Sequence, residues 1–266
     1  MPKIEPRNKS VLEQKGLHLY HAGWSNCSMR VRMTLEEKAL RWTSHHLDTR
    51  TGEHITPEYF GINPNGLVPT LVHDGDVWIE SADIIRYLDS TYPEPRLTPT
   101  GDAGLVKLSE WLQLASAIHV PAVKTYVYGS GRKNRRRKTA AELARYRELQ
   151  TNEELLAFHT RTSSDAGLTV EDRRNAEYLL HDAFAELDTY LDEYEWLAGD
   201  NFSLADIVWV PVLYTLERAG FSFDRYQHAI RWYRAIAARP SYQNAIVRWF
   251  DGPPESAVLQ IQSTGE

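Results

Sequence analysis

The hydrophobic period of this chain changes repeatedly over its first ninety residues and then settles on helical spacing. Leu17-His18-Leu19-Tyr20 alternates as a short strand. A turn at Ala22-Gly23-Trp24-Ser25-Asn26 leads into a helix over about 25–39, where Cys27, Val31, Thr34, Leu35 and Ala39 recur at helical spacing. Arg41 to Leu47 reads as a second strand. Leu67 to Val72 and Val77 to Ile79 read as two more, joined by His73-Asp74-Gly75-Asp76, whose Asp-Gly pair signals a hairpin. Ser81 then opens a helix with Ile84, Ile85 and Leu88 on one face. The order is β-α-β, an irregular stretch, then β-β-α: a small α/β domain over 17–89.

Residues 90–103 carry three prolines and read as an interdomain linker. From 104 to 250 the spacing is helical throughout, in segments near 104–128, 139–160, 170–194, 203–219, 226–238 and 241–250. Thr169-Val170-Glu171-Asp172 and Ser203-Leu204-Ala205-Asp206 resemble capping boxes. The expected architecture is α/β plus all-α. Residues 1–16 read as a polar extension without the apolar stretch of a secretory signal, and 251–266 as a loose tail. The basic run Arg132 to Lys138 suggests either an anion-binding patch or a solvated loop, and the acidic remainder of the chain favours the loop.

The 266 residues are 42% hydrophobic and 25% charged, enough for a sizeable core. A net charge of −6 offers no general attraction to nucleic acid or an anionic membrane, and no apolar run approaches bilayer length. One cysteine, Cys27, excludes an internal disulfide and fits a reducing, cytoplasmic compartment. No metal-ligand spacing stands out, so no metal is expected.

Four places in the first domain carry chemistry. At Trp24-Ser25-Asn26-Cys27-Ser28 a strand hands over to a helix, whose first amides lack internal partners and suit an anion, a thiolate included. Ser25, Asn26, Cys27 and Ser28 are the candidate catalytic positions, though Ser25 alone would equally be a plain N-cap. In Asn63-Pro64-Asn65-Gly66-Leu67-Val68-Pro69 the last proline is a candidate cis bond, which would turn the Val68 backbone outward to pair with a peptide ligand. Glu80-Ser81 lies at a strand-to-helix junction, where Ser81 can cap the helix or take a carboxylate and Glu80 can meet an ammonium group. His54, with Arg50 nearby, could meet a second carboxylate.

In this order and on these elements, the combination resembles the glutathione transferase superfamily over about residues 17–250. The Val-Pro pair matches Val68-Pro69, and the Glu-Ser pair matches Glu80-Ser81. The helical-domain signature matches Phe202-Ser203-Leu204-Ala205-Asp206, and the final-helix motif matches Ile236-Ala237-Ala238-Arg239-Pro240. The resemblance implies a thioredoxin-like domain followed by an all-helical one, with glutathione as co-substrate. It also implies that Leu67, Val68 and Pro69 hold the cysteinyl part, Glu80 and Ser81 the γ-glutamyl end, and His54 the glycyl carboxylate. Asp206 becomes a structural cap. Pairing is implied too, with a second copy or a related subunit.

A thiol with a pKa of roughly 8.5 is only a few per cent ionised at neutral pH. Lowering it by about two units takes about 2.7 kcal/mol. A charge-assisted hydrogen bond supplies roughly 1.5–3 kcal/mol and a helix N-terminus about 0.3–1, so one hydroxyl donor suffices. The donor falls at Ser25, or at Asn26 or Cys27 on a one-residue shift. Cys27 would instead give mixed-disulfide chemistry, a glutathione-dependent reductase, but its spacing with Val31 and Leu35 predicts an inward, packed thiol. The second substrate is expected to be a hydrophobic electrophile. Trp24, Trp111, His119, Tyr126, Tyr128, Trp209 and Tyr214 are candidate pocket residues that helical spacing would equally make core. The long segment at about 129–169 looks like bacterial members that cleave aryl ethers of lignin. A non-catalytic, transferase-like interaction module would keep the same fold.

Overall fold

The computed structural model describes residues 3–129, 137–164 and 166–250. Residues 132–136 of the basic run and the whole of 251–266 lie outside these. Five strands make one sheet: β1 (Lys3–Ile4), β2 (Leu17–His21), β3 (Thr43–His46), β4 (Thr70–His73) and β5 (Asp76–Trp78), in the order β1-β5-β4-β2-β3. Only β2 and β3 are parallel, His18 lying opposite Thr43 and His21 opposite His46. Parallel neighbours need a crossover, and α1 (Asn26–Glu37) supplies it. β4 pairs antiparallel with both β2 and β5, the latter through the expected Asp-Gly hairpin. The sheet and the helices after it have the thioredoxin-like plus all-helical architecture anticipated above.

Two features escaped the periodicity. The segment expected as a polar extension adds β1, whose Lys3 and Ile4 pair with Trp78 and Val77. Val11 and Ile4 then pack with Tyr59, Ile62, Val72 and Val77 in the core. Two isolated apolar side chains are too few to show a period. Within the irregular stretch, α2 (Pro57–Ile62) forms behind an N-cap at Thr56, with proline in the first turn where a missing N–H costs nothing.

The chain divides into two compact units that differ from the contiguous blocks read along the sequence. The first takes residues 3–88, 137–164 and 244–250; the second takes 89–129 and 166–243. The expected helix at 139–160 is therefore two helices, α6 (Ala140–Leu149) and α7 (Glu153–Ser163), and both belong with the sheet. Asn152 caps α7 and breaks the run. The first unit also holds a chain of histidines on β2 and β3. His21, fully buried, takes an Arg32 hydrogen bond on Nδ1 (3.1 Å) and so gives its Nε2 hydrogen to Ser44 Oγ (2.8 Å). Only the neutral ring can do both.

In the second unit, α4 (Asp102–Ala117) passes through a π-helical turn at His119–Lys124 into α5 (Thr125–Gly129). Pro121 in that turn lacks the N–H that a regular helix would use. Two helices, α8 (Val170–Glu193) and α9 (Leu204–Arg218), form the centre, followed by α10 (Gln227–Ala237) and all but the last two residues of α11 (Pro240–Ala245). Asp206, fully buried, accepts from the Leu197 N–H (3.0 Å), the Ser203 N–H and hydroxyl (2.8 and 2.9 Å) and Trp232 Nε1 (2.7 Å). Burial raises its pKa while those donors oppose the rise. Among the described residues no helix is long and apolar enough to cross a membrane.

Two stability predictions follow from these buried groups. Asp206→Ala strands four donors and should cost about 3 kcal/mol or more, read as a lowered midpoint in urea. Burial and neighbouring cations hold His21 well below its ordinary pKa, and burial takes His45 down to about 4. Below the unfolded value of about 6.5 the unfolded chain binds more protons than the folded one, so stability is full above that pH. It should fall as the pH drops from about 6.5 towards 4. Thermal melts at pH 7 and pH 5 test this, and an unchanged midpoint contradicts it.

Candidate functional site

The turn after β2 is fixed from two sides. Ser25 is the N-cap of α1, its Oγ accepting the Ser28 N–H at 3.2 Å. That bond uses the oxygen and leaves the hydroxyl hydrogen to be given, here to the Val68 carbonyl at 3.5 Å, the outer limit of a hydrogen bond. Ser28 is fully buried and accepts the Ala22 N–H at 3.3 Å. Asn26 is 7% exposed. Cys27 is half-buried, whereas Val31 and Leu35 are fully buried. The packed thiol expected from the spacing is therefore corrected: Cys27 is half-buried although Asn26, Ser28 and Met29 in the same turn are buried.

Arg32 holds this turn in place. It is fully buried, and its guanidinium donates to the carbonyls of Ala22 (3.0 Å), Gly23 (3.0 Å) and Ala245 (2.7 Å). The strap 244–250 is thereby tied across the turn. At Gly23 an added Cβ would lie 2.3 Å from the Trp249 carbonyl oxygen, so only glycine fits there. Trp24, 40% exposed, packs on Phe250 with ring centroids 4.1 Å apart, and the Arg50 guanidinium lies 5.5 Å from its ring.

The second wall is the Val68-Pro69 turn, and the bond is cis. β4 begins only at Thr70, so the Val68 backbone lies beyond the last paired residue. Gly66 has φ +58° and its missing Cβ would fall 2.2 Å from the Phe60 ring, two independent reasons for glycine. The Leu67 carbonyl accepts from Tyr59 Oη (2.6 Å) and Asn63 Nδ2 (2.9 Å). Gln150 Nε2 donates to the Asn65 carbonyl (2.8 Å), and Tyr146 sits edge-on to Phe60. The long segment after α5 therefore braces the Val-Pro turn through α6 and α7.

The third part is the start of α3 (Ser81–Thr91). Glu80 occupies the left-handed region (φ 64°), and its carbonyl takes the first helical bonds from Asp83 and Ile84. The cap expected at Ser81 is thus one residue earlier, and Ser81, buried, turns its Oγ to Arg30 Nη1 at 3.4 Å. His54 has a buried Nδ1 without a partner among the described residues. Burial, then the charge of Lys138, takes its pKa down to about 4, leaving a neutral ring. Arg50 is committed to Asp48 through two 3.0 Å bonds, and that pairing lowers the Asp48 pKa.

The candidates of the second unit are mostly core. Trp111 and Tyr126 are each 2% exposed and Tyr214 is 5%. Trp111 gives its carbonyl to Trp209 Nε1 (3.0 Å), and Tyr126 receives Arg173 on its hydroxyl (3.1 Å). His119 and Tyr128 are half-buried, His119 opening the π-helical turn. Of the whole set, Trp24 alone stands exposed, and it belongs to the first unit.

Sequence reasoning missed Arg30, Arg32, Tyr59 and Gln150, because charge and polarity by themselves read as surface. Gly23→Ala should force Trp249 out of place and cost about 1–3 kcal/mol. A lowered thermal midpoint with shifted tryptophan emission is the expected readout, and a midpoint equal to wild type contradicts the clamp.

Comparison with known proteins agrees with this geometry. A model of the glutathione S-transferase N-terminal domain matches residues 24–91, and one of the C-terminal domain matches 168–240, together just over half of the chain. The Arabidopsis thaliana glutathione S-transferase TCHQD is 29% identical over 259 residues, covering 91% of this chain and 94% of that protein. A maleylacetoacetate isomerase of Pseudomonas aeruginosa is 28% identical, covering 86% and 95%. Among solved structures, the β-etherase LigF from Sphingobium sp. strain SYK-6 superposes with a TM-score of 0.76 at 26% identity, covering 86% of this chain and 98% of that one. The chain belongs to the glutathione S-transferase superfamily, and glutathione is its co-substrate.

Proposed function

We propose that this protein uses Ser25 to hold the glutathione sulfur as a thiolate and directs it at a hydrophobic, aromatic electrophile. The carrying observation is the approach of Ser25 Oγ to the Val68 carbonyl, 3.5 Å apart at the helix start. A cysteinyl residue pairing with the Val68 backbone as an added strand brings its sulfur to that hydroxyl. The hydroxyl hydrogen exchanges a weak carbonyl contact for a thiolate, and the α1 amides add their field. Glu80 and Ser81 take the γ-glutamyl end, and neutral His54 donates one hydrogen bond to the glycyl carboxylate.

For the electrophile, the reading extends to a β-aryl ether. The thiolate attacks the carbon bearing the aryloxy group, a C–S bond forms and the C–O bond breaks. The phenolate leaves with the electron pair and takes a proton from water, while the thiol proton has gone to solvent. Likeness to the β-etherase supports this, as does the braced α6–α7 segment. Exposed Trp24 supplies an aromatic surface next to Ser25.

One observation favours a second chemistry. Cys27 is half-buried rather than packed, one turn of helix from Arg30. Its thiolate can therefore attack the glutathione sulfur of a glutathionylated substrate, forming a Cys27–glutathione disulfide as the old S–S bond breaks and the substrate leaves as its thiolate. Free glutathione then attacks that disulfide and leaves oxidised glutathione. Purified protein, glutathione and a β-aryl ether model dimer decide between the two. Phenol release by wild type is expected. It should fall roughly 10- to 150-fold in Ser25→Ala, the worth of one charge-assisted hydrogen bond, and stay within about twofold in Cys27→Ser. No phenol from wild type rejects ether cleavage. Loss in Cys27→Ser with Ser25→Ala intact moves the chemistry to Cys27.

A further inference from the structure

The turn that presents Ser25 is held at its backbone by three side chains, and one of them is a base. Ser28 Oγ accepts the Ala22 N–H, and Arg32 donates to the Ala22 and Gly23 carbonyls. The Gly23 N–H goes to His46 on β3, whose Nε2 accepts it at 3.2 Å. A serine hydroxyl and a guanidinium keep their hydrogens throughout the physiological pH range. An imidazole nitrogen accepts only while it carries no proton, so this bond puts the ring's one hydrogen on Nδ1. The ring is packed into that role. Its plane lies 19° from that of Trp249, with centroids 6.0 Å apart, and His21 on β2 meets it edge-on at 5.6 Å. A Cβ on Gly23 would stand 3.6 Å from His46 Nε2 as well as 2.3 Å from the Trp249 oxygen, so turn, ring and strap converge at one point.

Charged and titratable groups reach His46 from each element around it. Arg32 comes from α1 and the neutral His21 from β2, the strap offers uncharged Trp249, and Asp48, Arg50 and Glu53 follow β3. Burial first, then Arg32, holds the His46 pKa below its ordinary value, while Asp48 and Glu53 pull the other way. The ring is therefore neutral at pH 7 and gains its proton only in acid, below about 6.5. We propose that His46 is a positioning residue for the thiolate: its Nε2 lone pair holds the Gly23 N–H, two residues before Ser25, and so sets where α1 presents the Ser25 hydroxyl. This rests on the Ser25 reading above and adds a residue and an acid limit to it. A proton on Nε2 turns the acceptor into a donor that faces the Gly23 donor, beside the Arg32 guanidinium. The turn then loses one of its ties, and the Ser25 hydroxyl leaves its place at the sulfur.

The test separates how well glutathione binds from how well its thiol is ionised. Wild type, His46→Gln and His46→Leu are saturated with glutathione, the ultraviolet absorbance of the bound thiolate is titrated against pH, and affinity is read by calorimetry at pH 7. Gln cannot gain a proton, and its carbonyl oxygen can stand where Nε2 stands; Leu offers no acceptor. In His46→Leu the bound thiol should titrate about one unit higher, a tenfold loss of thiolate in acid. Its affinity for glutathione should stay within about threefold, because the peptide still pairs with the Val68 backbone. His46→Gln should recover most of the thiol shift. In wild type two coupled protons act on the thiolate signal, so it should fall more steeply in acid than a one-proton curve, whereas His46→Gln should follow one proton. Three results overturn the inference alone: His46→Leu with the wild-type thiol, His46→Gln as steep as wild type, and His46→Leu that loses affinity and melting temperature together with no change in the thiol. Wild type that binds no glutathione, or binds it with the thiol at its free value of roughly 8.5, overturns the Ser25 reading and this inference with it.

Discussion

The buried guanidinium of Arg32 is the constraint around which the first unit is arranged. Its donors reach the carbonyls of Ala22 and Gly23 at the end of β2 and the carbonyl of Ala245 in the strap. It also fixes the tautomer of His21, and through it the bond to Ser44 on β3. The direction in which α1 presents Ser25 follows from those bonds. Removing the charge would leave three carbonyls and an imidazole unsatisfied in the core, a larger loss than any single apolar contact there.

The two turns that meet at Ser25 Oγ and the Val68 carbonyl are stiffened by different means. The Ser25 turn is held by a buried ion and a glycine without room for a methyl group. The Val68-Pro69 turn is held by neutral hydrogen bonds from Tyr59, Asn63 and Gln150 and by Gly66 seated on Phe60. Trp24 stands exposed beside the first of the two turns.

Much of this was legible in the sequence where a local rule applies. Ser25 before a helical run reads as a cap, Val68-Pro69 after Asn-Gly reads as a turn with a cis bond, and Glu80-Ser81 reads as a strand-to-helix junction. Each depends on neighbours a few residues away. What was hidden depends on distant partners. Val11 and Ile4 look like scattered apolar residues until β1 pairs with β5. Arg30 and Arg32 look like the solvated side of α1 until Ser81 and the strap's Ala245 meet their guanidinium groups. Cys27 shares the spacing of Val31 but is left half-buried at the start of α1.

The interleaving of the two units has a consequence for how the protein is made. The first unit collects residues 3–88, then 137–164, and is completed only by 244–250. Synthesis proceeds from the N-terminus at about 5–20 residues per second. The sheet and α1 therefore leave the ribosome well before the carbonyl that Arg32 Nε must reach. Until then Arg32 lacks its Ala245 partner and the Gly23 turn lacks the cover of Trp249.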